Sequence, residues 1–174
     1  KSFSPDSLNA LLEYLAASVE SGIGSESGSA SMSVMSKDLD IGLKILEEVL
    51  RYPSFDTSKI NLAKSQIRES IRRRNDQPGS VISREFSHLL YGDHPYGRIL
   101  DWKYVKDIKR DDLIAYHDKY YHPNNIMMAF SGDFNSDKLV NKLKGLFGDW
   151  AKSDQKPPDI PTVDYLFKPG VYLV

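Results

Sequence analysis

The sequence contains no cysteine. That excludes a disulfide framework and every thiolate metal site, so a zinc ion here would need histidine, aspartate or glutamate ligands. No apolar run approaches the roughly 20 residues that a bilayer-crossing helix needs. A charge bias is missing too, with 23 Lys and Arg against 24 Asp and Glu and a formal net charge of -1. Such a balance gives no global reason to expect nucleic acid or an anionic membrane. What is present is a 174-residue chain, 40% hydrophobic and 27% charged. This is enough for one domain with a real core, or two small ones. The first residues, KSFSPDSL, read as a loop feeding a helix, and the last, GVYLV, as a strand with nothing after it. Both ends therefore read as cuts through a longer polypeptide.

Ser4-Pro5-Asp6 opens a first helix, expected to about Ala17, with Leu8, Leu11, Leu12 and Leu15 on one face. In the Ser- and Gly-rich stretch that follows, serine alternates with Ala30, Met32 and Val34, the period-two signature of a strand with one buried face. The expectation is a hairpin with strands around Ser18–Ile23 and Ser29–Met35. Asp38 or Asp40 caps a helix to about Arg51, which Tyr52-Pro53 ends. Further helices are expected from Val81 to about Tyr91, from Leu113 to about Tyr121 and from Ser136-Asp137 to about Phe147, with a short helical turn at Tyr104–Ile108. Ile126–Phe130 is a compact apolar run that reads as a buried strand. The Pro-rich stretch 152–162 reads as a linker between a domain at 1–151 and a following segment, 163–174, that contains a strand or two. The fold class implied is α+β, an antiparallel-rich sheet packed on one face by helices.

The longest clear helix lies between Phe55 and Pro78, with Asp56, Thr57 and Ser58 at its start. Ile60, Ala63, Ile67 and Ile71 form an apolar stripe expected to pack on a core. Glu69 lies off that stripe, the lone carboxylate among Lys59, Lys64, Arg68, Arg72, Arg73 and Arg74. On residue type alone it is a solvated helix glutamate paired to Arg72 or Arg73. The cationic cluster has no interleaved aromatics, which argues against a nucleic-acid site. Glu85 and His88 stand three apart on one helix, but a single pair without a partner reads as surface residues. His94 and His122 precede prolines and read as turn and helix-stop residues, and His117 as a half-buried helix residue.

Taken in order, SPDSLNALLEYLAASVESG, the serine-rich hairpin, DLDIGLKILEEVLRYPSF, the helix through IRES, YGDHPYGR, VKDIKRDDLIAYHDKYYHPNN and IMMAFSGDF resemble the N-terminal half-domain of the pitrilysin/insulinase family of zinc metallopeptidases, which includes the mitochondrial processing peptidase subunits. The resemblance implies a zinc endopeptidase acting on extended peptides. In that family a His-x-x-Glu-His helix supplies two zinc ligands and the general base, and a later glutamate the third ligand, here the position of Glu69. The motif itself is absent, since His88, His94, His117 and His122 lack that spacing, and it would fall upstream of Lys1. The chain alone is therefore expected neither to bind zinc tightly nor to cleave peptides. The alternative is a non-catalytic peptide-binding or scaffold subunit of the same family. Substrate would add as a strand along Ser21, Gly22, Ile23 and Gly24. The implied partners are extended peptide substrates, a second half-domain and, through exposed strand edges, a further copy of the chain.

Overall fold

The computed structural model of the chain describes residues 5–163 and 169–173. Among them are the helices α1 (Pro5–Tyr14), α2 (Leu39–Arg51), α3 (Thr57–Arg72), α4 (Pro78–Tyr91), α5 (Arg110–Tyr120) and α6 (Ser136–Phe147). Two strands, β1 (Ser18–Ile23) and β2 (Gly28–Ser33), and short 3-10 turns at Ser36–Asp38, Pro95–Gly97, Trp102–Tyr104 and Pro123–Asn125 complete the order, an α+β arrangement rich in helix. The chain forms two compact units, one of residues up to 54 with 115–157, the other of 55–114 with 158–174, so the chain passes between them inside α5.

In the first unit α2 is the centre. Leu43, Ile45, Leu46 and Leu50 are buried on it, and Leu139 of α6 is buried as well. Each such side chain contributes about 1.5–3 kcal/mol by leaving water. Gly42 lets α2 approach the hairpin closely, for a Cβ there would stand 3.0 Å from Met32 Sδ and 3.1 Å from Val34 Cγ1. The hairpin is antiparallel, with Val19 opposite Met32 and Ser21 opposite Ala30. Val19, Met32 and Val34 are half-buried while the serines face solvent, so the period-two pattern survives only on the part nearest α2. Helix α1 stops at Tyr14, three residues short of the expected Ala17. There Ala16 turns left-handed at φ 48°, and Ala17 N–H donates to Leu12 O while Ala16 N–H donates to Glu13 O. This is the paired-bond helix stop usually made by glycine.

Ile126–Phe130 departs from its expected form. It is not a buried strand: it joins no ladder among the described residues, and Met127 is 94% exposed. The segment alternates half-buried and exposed positions as a strand would. A ladder also requires a neighbouring strand, and β1 pairs only with β2 among the described residues. Among the described residues the sheet is accordingly a two-stranded hairpin over α2. Residues 169–173 carry no regular structure, and 164–168, the rest of the expected final strand, lie outside the described residues.

In the second unit α3 begins on Asp56, whose carboxylate accepts from Ser58 N–H at 2.8 Å and Lys59 N–H at 3.2 Å. The hydroxyl of Ser58 also donates to it, and these bonds hold its pKa below the usual carboxylate value. Contrary to the expectation of a core-packed stripe, α3 has no buried residue, and Ile60, Ile67 and Ile71 are only half covered. Three isoleucines and one alanine make a narrow stripe, and Ala63 is itself exposed. Pro78 occupies the first turn of α4, where its missing N–H costs nothing. The helix ends at Gly92, with φ 55° and ψ −125°, and buried Gly97 lies against it: a Cβ on Gly97 would meet Gly92 O at 2.5 Å.

Candidate functional site

Glu69 sits one turn from the C-terminal end of α3, exposed to solvent. Its Oε2 lies 3.2 Å from Arg72 Nε, an i,i+3 pair in which both side chains are open to water. A pair of that kind is screened and weak. Four of the other cations in the run are engaged nearby. Lys64 donates to the carbonyls of Lys106 at 2.8 Å and Ile108 at 2.6 Å, and Arg68 lies over the Trp102 ring at 5.5 Å. Arg73 pairs with Asp76 at 3.1 Å, and Arg74 donates to Leu100 O at 3.1 Å. The basic cluster thus fastens α3 to the loop after α4 and closes its own C-terminal turn.

Among the described residues no three His, Asp or Glu side chains converge as metal ligands. His88 Nδ1 is 2.9 Å from Gly97 O. His94 Nδ1 accepts from Tyr96 N–H at 3.2 Å, so Nε2 carries the proton and donates to Pro161 O at 3.0 Å. His117 Nε2 donates to Leu50 O at 2.8 Å, and its ring stacks on Tyr121. Glu85 pairs with Arg84 at 2.9 Å rather than with His88. One exposed carboxylate held by an arginine, with no convergent histidine, does not fit a zinc ion. A metal at Glu69 would take its remaining ligands from outside the described residues.

Ser21, Gly22 and Ile23 form the last half of β1 and Gly24 follows it, closing the turn by donating its N–H to Ser27 O at 2.8 Å. All four are exposed, and Ile23 shows 62% of its surface. The hairpin uses one edge of β1, and the other edge is unpaired among the described residues. Nothing lies within 4 Å of a Cβ built on Gly22, so the face of the strand at that position is open. These four residues belong to the first unit and Glu69 to the second.

Two features went unread in the sequence. One is a cleft of about 400 Å³ in the second unit, whose walls include Arg74, His88, Arg98, Asp101 and Lys103. Its signal was the YGDHPYGR turn, in which Gly92 and Gly97 fold the chain back on the end of α4. The other is Arg51, buried in the first unit with its guanidinium between the rings of Tyr52 and Trp150. No local spacing announces that contact, because Trp150 lies far along the chain.

Residues 107–174 match the domain family described as the peptidase M16 inactive domain. The chain is 26% identical to an uncharacterized zinc protease of Mycobacterium leprae, over 66% of this chain and 26% of that protein. It is 26% identical to the mitochondrial-processing peptidase subunit beta of Saccharomyces cerevisiae, over 71% of this chain and 27% of that one. With the zinc protease PqqE of Helicobacter pylori it shares 28% identity over 72% of its length and 28% of the relative's. The chain thus spans about a quarter of the length of these relatives. Two solved structures share the fold: a peptidase M16 inactive domain from Pseudomonas fluorescens, with TM-score 0.83 and 23% identity, and a protease from Helicobacter pylori, with TM-score 0.75 and 19% identity. Each aligns over 94% of this chain and 40% of its own.

Proposed function

Because the chain belongs to the pitrilysin/insulinase family of peptidases, we propose that it is part of a zinc-dependent endopeptidase acting on extended peptides, and that its own contribution is to hold peptide rather than to cleave it. The observation that carries this reading is the exposed edge of β1 at Ser21, Gly22 and Ile23, with Gly24 after it, which is unpaired among the described residues. Main-chain hydrogen bonds along such an edge bind an extended peptide with little regard to its sequence. The domain is taken as 1–151, with 152–162 as linker and 163–174 leading into the following segment. The start of that linker is fastened to the first unit, where Asn124 both donates to Ser153 O at 2.8 Å and accepts from Ser153 N–H at 3.1 Å. The test is amide hydrogen exchange of the chain with and without an unstructured peptide. Exchange should slow at residues 18–24, and unchanged exchange there would remove the reading.

A second reading places the chain in the catalytic, N-terminal half, with Glu69 as the third zinc ligand of the parent enzyme. It is favoured by the exposure of Glu69, whose carboxylate is held only by a weak pair to Arg72 and is free to change partner. Elemental mass spectrometry on the parent polypeptide extended upstream of Lys1, wild type against Glu69→Gln, separates the two. About one zinc per chain that falls on substitution assigns the ligand. Zinc unchanged by the substitution, or no zinc, leaves Glu69 a helix glutamate.

A further inference from the structure

The cleft of the second unit carries charges that the folded chain leaves unmatched. Its walls hold three cations, Arg74, Arg98 and Lys103, and two carboxylates, Asp93 and Asp101. Arg74 donates through Nη1 to Leu100 O at 3.1 Å, and Lys103 Nζ lies over the Tyr104 ring at 5.0 Å. Asp101 Oδ1 accepts from Lys103 N–H at 3.0 Å, which leaves Oδ2 open. The side chains of Arg98 and Asp93, both exposed, make no hydrogen bond or ion pair among the described residues. We propose that this cleft binds the C-terminal end of a peptide, its α-carboxylate on the cations and its last amide N–H groups on the aspartates.

The lining selects this ligand by charge and by its acceptors. Three cations against two carboxylates leave one net positive charge while the His88 imidazole is neutral, and a singly charged carboxylate cancels it. A phosphoryl group, with roughly 1.5 to 2 negative charges at pH 7, overcompensates and stands beside aspartates that repel it. A free amino acid is a zwitterion and leaves the excess unmatched. The end of a peptide chain brings the one negative charge together with neutral N–H donors. Asp93 and Asp101 Oδ2 accept such donors, and so does His88: Gly97 O can only accept, so Nδ1 of the neutral ring carries the proton and Nε2 keeps a lone pair. Guanidinium forks grip a carboxylate through paired bonds, which suits Arg98 with its donors unspent. About 400 Å³ lies near the small end of ligand clefts, room for a chain end and not for a folded partner. With Arg98 and Lys103 exposed, the binding is weak and falls with salt.

This site stands apart from the strand-edge reading, which is tested at residues 18–24 while the cleft responds at 92–104, so either can fail alone. The deciding experiment titrates the nitrogen-15-labelled chain with N-acetyl-trialanine and follows amide shifts, with the C-terminal amide of the same peptide, free alanine and inorganic phosphate as the other arms. The acid should move amides within 92–104 saturably and bind roughly tenfold more tightly than the amide or alanine, and added salt should weaken it. Arg98→Gln should weaken the acid by about fivefold and leave the amide shifts of α2 and α6 in place, since its side chain makes no internal bond. Asp93→Asn removes a like charge and should improve phosphate binding more than peptide binding. No movement within 92–104, equal affinity for acid and amide, or tighter binding of phosphate than of the acid would each overturn the proposal. So would an Arg98→Gln chain that holds the acid as well as the wild type does.

Discussion

Arg51 Nη1 reaches three acceptors: Glu47 Oε1 at 3.0 Å, Leu146 O at 2.5 Å and Asp149 Oδ1 at 2.8 Å. The side chain is only 8% exposed and lies between the faces of Tyr52 and Trp150, 5.0 and 5.6 Å from the ring centroids. One cation therefore ties the end of α2 to the end of α6. Methionine in its place keeps the packing of the stem but leaves Leu146 O and Glu47 without their donor. Arg51→Met is expected to cost about 2 kcal/mol, read as a lower urea midpoint at unchanged slope. The hydrogen bond from Arg51 also holds the Asp149 carboxyl below its ordinary value of 3.8. A pKa lower in the folded than in the unfolded chain means that the stabilisation is complete above 3.8 and is lost as pH falls through the folded value. Asp149 is itself exposed, so this share is screened and small. The urea midpoint of the wild type should fall below pH 4 more steeply than that of Arg51→Met, and parallel curves would break the assignment.

Among the elements, the hairpin was the most legible in the sequence: β1 runs over Ser18–Ile23 as read, and β2 covers Gly28–Ser33, ending two residues before the expected Met35. Helix α2 was legible from its apolar positions alone. The relative weight of α2 and α3 was not. Both carry apolar stripes, and a stripe says which face wants cover without saying whether anything arrives to cover it. Ile126–Phe130 failed for the same reason, since its alternation is local and its ladder is not. The end of α1 was misplaced by three residues because alanine gives no warning of a left-handed turn, which glycine would have given. The correction is testable. Ala16 bears a Cβ penalty at φ 48°, so Ala16→Gly should stabilise the chain by about 1 kcal/mol, whereas the same change in mid-helix would destabilise it by a like amount. A lower melting temperature for Ala16→Gly would show that the stop is not strained.

For the whole molecule, burial is uneven. The first unit holds Leu43, Ile45, Leu46, Leu50 and Leu139 out of water, while the second buries Val105 and Gly97. What the second unit has instead is hydrogen bonding at long side chains: Lys64 to two carbonyls, Arg74 to Leu100 O, Arg84 to Asn75. Exposed bonds of that kind each add little net free energy, whereas buried leucines add substantially more. Resistance to opening should follow the leucines, and the two units should exchange as separate cooperative blocks. Native-state hydrogen exchange should show α2 and α6 protected most strongly, with α3 and α4 opening at lower denaturant. Leu43 is fully buried, and Leu43→Ala should remove about 3 kcal/mol from the protection of α2 and α6. Protection of α3 and α4 should change little, because their amides already exchange through smaller openings. If instead every helix lost the same protection, the chain would unfold as one block and the two units would not be separate in energy. The same contrast explains why the site resisted reading from sequence. Glu69 stands in the unit held by surface bonds, beside an arginine that satisfies it, and nothing in its surroundings distinguishes it from any other helix glutamate.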